Sequence, residues 1–273
     1  MPLQLELIDS DPVPIEVQGI LPSTVRGRSL AEIAQLPIYH GNRPLALGDR
    51  FRLAGEADDE IVWVGDLSGV HWIGARMDAG RILVEGNAGR HVGSEMTGGQ
   101  IIVSGNCGDW VGAELHGGTI DIRGNAGHLV GAAYRGSPRG MTGGTIRVHG
   151  DAGNETGHSM RRGLVAIGGA TGDLIGINMQ AGTVVAGGPT GIRHGAGMKR
   201  GTLIFLDATP PTMLPSFRLA GPCQPLFFQL LGRSLQRAGF PGSDLMLDAE
   251  FYQYHGDLIE GGRGEIFTAS PAP

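Results

Sequence analysis

From Arg81 onward, apolar positions recur at a fixed interval of 19 residues. Taking Arg81, Gln100, Thr119, Thr145, Leu164 and Thr183 as the first position of each repeat, the second position is Ile82, Ile101, Ile120, Ile146, Val165 and Val184. The fourth is Val84, Val103, Ile122, Val148, Ile167 and Ala186, whereas the third and fifth are mixed and include Glu85, Asp121, Arg123 and Arg147. Alternation of this kind, with β-branched residues on one side, predicts a half-buried strand at the start of every repeat. Val92, Val111, Val130, Thr156 and Ile175 form a second apolar column. Met96, Leu115, Met141, Met160, Met179 and Met198 form a third, filled mostly by a side chain that adapts to irregular gaps.

Glycine punctuates the strands in the pattern G-x2-G-x3-G-x5-G. Successive repeats carry Gly86, Gly89, Gly93 and Gly99; Gly105, Gly108, Gly112 and Gly118; and Gly124, Gly127, Gly131 and Gly144, the last pair separated by an insertion near Tyr134 to Gly140. Gly150, Gly153, Gly157 and Gly163 follow, then two further sets ending at Gly201. Six repeats of four glycines account for 24 of the chain's 49. The expectation is that they mark corners, because glycine reaches positive φ without steric cost; Gly127 is assigned such a turn. Asn87, Asn106 and Asn125, with Asp151 after them, follow the first glycine and are expected to form a ladder of stacked amides.

A fixed period near 20 residues predicts a stacked repeat architecture with parallel pairing between repeats. The expected fold is all-β: a right-handed parallel β-helix of about seven coils, roughly 35 Å long, with N- and C-terminal capping extensions. The seventh coil is a degenerate one from Glu60 to Gly80, and no six-residue period points to the left-handed kind. The chain then divides into an N-terminal extension at 1–59, the repeats at 60–206 and a C-terminal extension at 207–273. The first extension contains a capping-box sequence, Ser29-Leu30-Ala31-Glu32, opening a helix that stops at Pro37. In the last, a proline-rich stretch precedes a helix expected from Gln224 to Ala238, with Phe227, Leu230, Leu231 and Leu235 on one face.

Composition narrows the function. A net charge of -6 and the lack of a basic block argue against a nucleic-acid binder. Cys107 and Cys223 form neither a disulfide framework nor a CxxC pair. No run of 18 apolar residues and no signal-peptide pattern is visible, so the chain reads as soluble and cytoplasmic. His91, His116, His128, His149, His158 and His194 occupy six different repeat positions and build no column of metal ligands. No HExxH or GxSxG motif occurs, and the glycine-rich runs lack both GK[ST] and a strand-to-helix transition, which argues against a nucleotide site. The acids are scattered over several columns, against the clustered acids of an autonomous carbohydrate-active β-helix enzyme. No catalytic residue and no metal ligand is assigned.

One charged feature does align. Arg161 and Arg162 hold positions 17 and 18 of their repeat, and Lys199 and Arg200 hold the same positions two repeats later, with His116 in the same column. Two readings stand: a solvated edge, or a docking strip for an acidic partner surface or an anionic cofactor tail. The insertion YRGSPRG at 134–140 also breaks the period, as partner-binding loops of repeat proteins do.

The G-x2-G-x3-G repeats, the Asn and Met columns, the segment IAQLPIYHGNRPLALGDRF at 33–51 and the Pro-rich tail running into a Phe-Leu helix resemble a known family. It includes the C-type subunit of formylmethanofuran dehydrogenase and the equivalent member of the bacterial formyltransferase/hydrolase complex; the repeat motif is also similar to the C-terminal domain of glutamate synthase. The resemblance implies a structural subunit without its own active site. Its partners would be formyltransferase and amidohydrolase-like subunits and a further small or pterin-domain-like subunit. Such a complex moves a formyl group from formyl-tetrahydromethanopterin to a methanofuran-type cofactor and hydrolyses it to formate, with zinc in the hydrolytic subunit. Lys199 is the one lysine among 21 Lys and Arg residues, and this arginine bias favours the bacterial, formaldehyde-oxidising version. The alternative within the family is a molybdenum or tungsten formylmethanofuran dehydrogenase.

Overall fold

A computed structural model describes residues 1–270. The repeat strands pair in register with a shift of one repeat: Thr119–Ile122 lies between Gln100–Val103 and Thr145–Val148, with Ile120 opposite both Ile101 and Ile146. They form the middle of a 13-stranded sheet. Its parallel run extends from Gly264–Thr268 through Gly201–Phe205 and the repeats to Glu56–Val64 and Pro2–Leu7. Antiparallel strands close both sides: Phe51–Ala54 on one, and Phe251–Gly256 followed by Arg218–Cys223 on the other. A second, four-stranded sheet joins Arg43–Ala46, Pro37–His40, Ile15–Glu16 and Val70–His71.

This corrects the expected all-β, right-handed parallel β-helix of about seven coils. The chain forms one large mixed, mostly parallel sheet, a second small sheet and several short helices. Only the first four or five residues of each repeat are strand. Beyond them, pairing is reduced to isolated bridges such as Ala88↔Cys107 and Thr171↔Thr190. The reason lies in the backbone: His91, Trp110, Leu129, Glu155, Leu174 and Arg193, one per repeat, all have φ between 62° and 67°. Glu95, Glu114, Ser159 and Asn178 form another left-handed column. Each such residue costs about 1–2 kcal/mol relative to ordinary backbone, and each breaks strand geometry. It also reverses the amide: His91 N donates forward to Asp109 O, whereas Gly93 N donates backward to Ile73 O. Repeats therefore bond to both neighbours even where no strand exists.

The apolar columns converge on one core. Ile101, Ile120, Val111, Val130, Met141, Met160 and Met179 are all fully buried. A second core covers the opposite face of the sheet, where Ala166, Val185 and Ile204 meet Phe228, Leu235, Phe240, Phe251 and Phe267. The helix responsible is Leu226–Arg237. It buries Phe228, Gly232 and Leu235 and leaves Phe227 and Leu230 exposed, so the expected grouping of Phe227 and Leu230 with Leu235 is wrong by about one residue around the helix. Near the N-terminus, Ser29 caps Leu30–Ala34, and the Glu32 carboxylate accepts from the Ser29 amide at 2.8 Å.

Candidate functional site

The side of the molecule that carries positions 17 and 18 is fixed by a backbone ladder. Arg161 N donates to Met141 O, Gln180 N to Met160 O and Lys199 N to Met179 O, each at 2.8 Å. Arg161 and Lys199 are thus two steps apart in one column, roughly 10 Å at the spacing of paired strands. Their neighbours Arg162 and Arg200 stand beside them, and all four residues are exposed.

The insertion rises beside this column. Gln180 Nε2 donates to Pro138 O at 2.6 Å, and Gly140 N donates to Ser159 O at 2.9 Å. Two adjoining depressions result, sharing Arg161 and Arg162 as their common wall. One, of about 520 Å³, is lined by Glu114, His116, Thr142 and Ser137 to Gly140; the other, of about 630 Å³, by Gln180, Ala181, Gly182, Lys199, Arg200 and Arg263. Arg139 and Arg263 therefore join the four basic residues read from the sequence. Against six cations stand Glu114, which accepts from Tyr134 N at 3.1 Å, and Glu260, 3.9 Å from Lys199. An open groove with this excess of guanidinium groups suits carboxylates or phosphates, which arginine engages through paired N–H donors.

The asparagines lie together, but their bonds differ from the expected amide stack. Asn87 Oδ1 accepts from Asn106 N at 2.9 Å, and Asn106 Oδ1 accepts from Asn125 N at 2.8 Å. A second ladder runs beside it: Asp109 Oδ1 accepts from His128 N, His128 Nδ1 from Asn154 N, and Asn154 Oδ1 from Asp173 N. Different side chains serve there because only an acceptor at one position is required.

These ladders explain many of the repeat glycines. A Cβ on Gly105 or Gly124 would overlap the Asn87 or Asn106 side-chain oxygen, and one on Gly127 would overlap Asp109 Oδ1. Gly127 does not adopt positive φ, so its assignment as a left-handed corner is corrected: it is glycine because the preceding repeat lies against it. Gly89, Gly150 and Gly153 are similarly crowded without positive φ and Gly108 less so, whereas Gly93, Gly112, Gly131 and Gly157 do adopt it. Gly86 combines both conditions.

Sequence reading missed an aromatic stack. Trp72 and His91 lie face to face at 3.9 Å, Trp110 continues the stack at 6.0 Å, and Tyr134 from the insertion packs on Trp110 at 5.1 Å. Burial, with help from the charges of His71 and Arg90, pushes His91 down to about 4. Its neutral ring lies 3.3 Å from the Tyr134 hydroxyl, which burial raises to about 12. The signal was Trp72, His91 and Trp110 at intervals of one repeat. Among the described residues, no group of three or more His, Cys, Asp or Glu is placed to hold a metal, and no helix is long and apolar enough to cross a membrane.

No family model matches the chain. It is 41% identical over 85 residues to the C-type subunit of tungsten-containing formylmethanofuran dehydrogenase 2 of Methanothermobacter thermautotrophicus, a match covering 29% of this chain and 32% of that protein. It is 36% identical over 81 residues to the C-type subunit of the formyltransferase/hydrolase complex Fhc of Methylorubrum extorquens, covering 30% and 31% respectively. The matched segments thus span about a third of these relatives' lengths. Over its whole length the chain matches one in the crystal structure of the formyltransferase/hydrolase complex FhcABCD from Methylorubrum extorquens in complex with methylofuran: TM-score 0.91, 34% identity, 98% of this chain and 100% of that one. The chain belongs to the family of C-type subunits of formylmethanofuran dehydrogenases and formyltransferase/hydrolase complexes. As a member of that family, it presents an outer surface with a basic groove and an aromatic stack, both bordered by one insertion.

Proposed function

We propose that this chain is the structural, non-catalytic member of an assembly of the formyltransferase/hydrolase type. The assembly passes a formyl group from formyl-tetrahydromethanopterin to a methanofuran-type cofactor and releases formate during one-carbon oxidation. Its partners are formyltransferase and amidohydrolase-like subunits and a further small or pterin-domain-like subunit, with zinc in the hydrolytic one. The single observation that carries this reading is the whole-chain likeness to a chain of FhcABCD. The groove and the buried columns fit it as a surface on which partners dock; the groove also holds Thr142 Oγ1, 2.7 Å from His116 Nδ1. Coexpression of the full chain with the formyltransferase and amidohydrolase-like subunits is expected to yield one complex that releases formate, while the chain alone is inactive. Formate release by the isolated chain, or failure to assemble, would sink the proposal.

Within this reading, Arg161, Arg162, Lys199 and Arg200, with Arg139 and Arg263, form the anion-binding strip for a cofactor tail or an acidic partner surface. If the strip holds a cofactor tail, glutamate at the first four positions is expected to slow formyl transfer with the complex still assembled. If it meets an acidic partner, the same changes are expected to weaken assembly; an unchanged rate with full assembly removes both roles. A second reading, the C-type subunit of a molybdenum or tungsten formylmethanofuran dehydrogenase, is favoured by the higher identity of the archaeal segment, 41% against 36%. Metal analysis of the native complex separates them: zinc without molybdenum or tungsten supports the first, and either heavy metal the second.

A further inference from the structure

The helix Leu226–Arg237 has two unlike sides. Phe228, Gly232 and Leu235 are locked into the outer core, with the Phe228 ring centroid 4.8 Å from that of Phe251 and 5.0 Å from that of Phe267. That anchoring fixes what the other side shows. Leu226 is 78% exposed, Leu230 71% and Phe227 40%. Exposed large apolar side chains are unremarkable singly, but three within five residues of an anchored helix form a patch.

Position along the helix carries the rest. Leu226, Leu230, Arg233 and Arg237 are spaced i, i+4, i+7 and i+11 and therefore share one stripe. The stripe is apolar in its first half and cationic in its second, and neither arginine has an acid partner among the described residues. The complement is a surface with an apolar strip that runs into carboxylates. Pairing of this helix with its own copy does not supply it: antiparallel helices would set Leu226 against Arg237, and parallel ones would set arginine against arginine.

We infer that this stripe is a docking site for a different subunit, whose contacting face pairs an apolar strip with aspartate or glutamate. The inference rests on reading the chain as a subunit of a hetero-oligomer. Burying Leu226 and Leu230 supplies the affinity, while Arg233 and Arg237 set direction and reject a wrong partner. The site is distinct from the basic groove, which is built from the repeat turns, the insertion and Arg263.

The test uses the full chain coexpressed with the formyltransferase and amidohydrolase-like subunits. Leu226→Gln/Leu230→Gln is expected to weaken assembly by about tenfold or more, with unchanged melting of the isolated chain because both residues are exposed. Arg233→Glu/Arg237→Glu is expected to weaken it in a manner that high salt abolishes. A photoreactive phenylalanine analogue at position 230 of the otherwise unchanged chain should crosslink to an apolar segment of another subunit flanked by Asp or Glu. Full assembly by both double variants overturns the docking site and leaves the subunit reading standing. A crosslink between two copies of this chain, or to a segment without acids, overturns the chosen occupant. If the unchanged chain joins no complex, both readings fall.

Discussion

Gln180 and Pro138, 42 residues apart, are joined by one hydrogen bond that ties the insertion to the basic column. Removing it leaves the repeats intact and frees the outer end of the loop. Gln180→Ala is expected to accelerate tryptic cleavage after Arg135 or Arg139 several-fold, with a stability change of only about 1 kcal/mol. Equal cleavage rates in variant and parent would show that the loop is held by other contacts.

At Gly127 the smallest possible side chain is already too large. Gly127→Ala forces a Cβ against the backbone nitrogen of Asp109 and against Asp109 Oδ1, which cannot retreat without breaking its bond from His128 N. The expected loss is about 1–3 kcal/mol in urea unfolding. An unchanged midpoint would mean that the ladder relaxes freely.

Met160 fills the third column and is fully buried between repeats. Met160→Ala opens a cavity whose walls belong to neighbouring repeats in the same column, so collapse is limited. A cost of about 2–5 kcal/mol is expected, and Met160→Leu should recover most of it. Similar losses for both variants would point to a role other than filling space.

His91 gives the stability curve a predictable tilt. Its folded value of about 4 lies below the unfolded value near 6.5, so the unfolded chain binds more protons between these limits. Stability is fully present above about 6.5 and falls as the pH drops toward 4. His71 and His194, also lowered by burial, add in the same direction. His91→Phe should flatten the decline in melting temperature between about pH 6.5 and 4.5; an unaltered slope would assign the tilt to the other two histidines.

The features legible in the sequence were those enforced by burial. Ile101, Val103 and Met96 repeat because each must fill the same interior space, and that constraint acts on residue type directly. Arg161 and Lys199 were legible for a related reason, since equal repeat positions put them in one column. Fold class was misread because periodicity reports how residues stack, and stacking does not require strands. The backbone at His91 or Glu95 takes a left-handed form that its residue type does not announce. The ladder through Asp109, His128 and Asn154 was hidden because three chemistries meet one geometric need. Arg263 reaches the groove through the C-terminal strand order, which carries no period. The covered outer face did leave a trace: the third repeat position changes from Asp121 and Arg147 to Ala166, Val185 and Ile204.

A sheet whose central strands add one identical step per repeat behaves as a graduated scale. The parallel run places the basic groove a set number of steps from the N-terminal strand Pro2–Leu7, at about 4.8 Å per step. Because Thr145 pairs with Leu164 and Leu164 with Thr183 in the same register, excising one 19-residue unit between equivalent positions would rejoin matching edges. The groove would then move by one graduation relative to everything docked at the other end. Distance between docked partners is therefore encoded as an integer, changeable only by whole repeats.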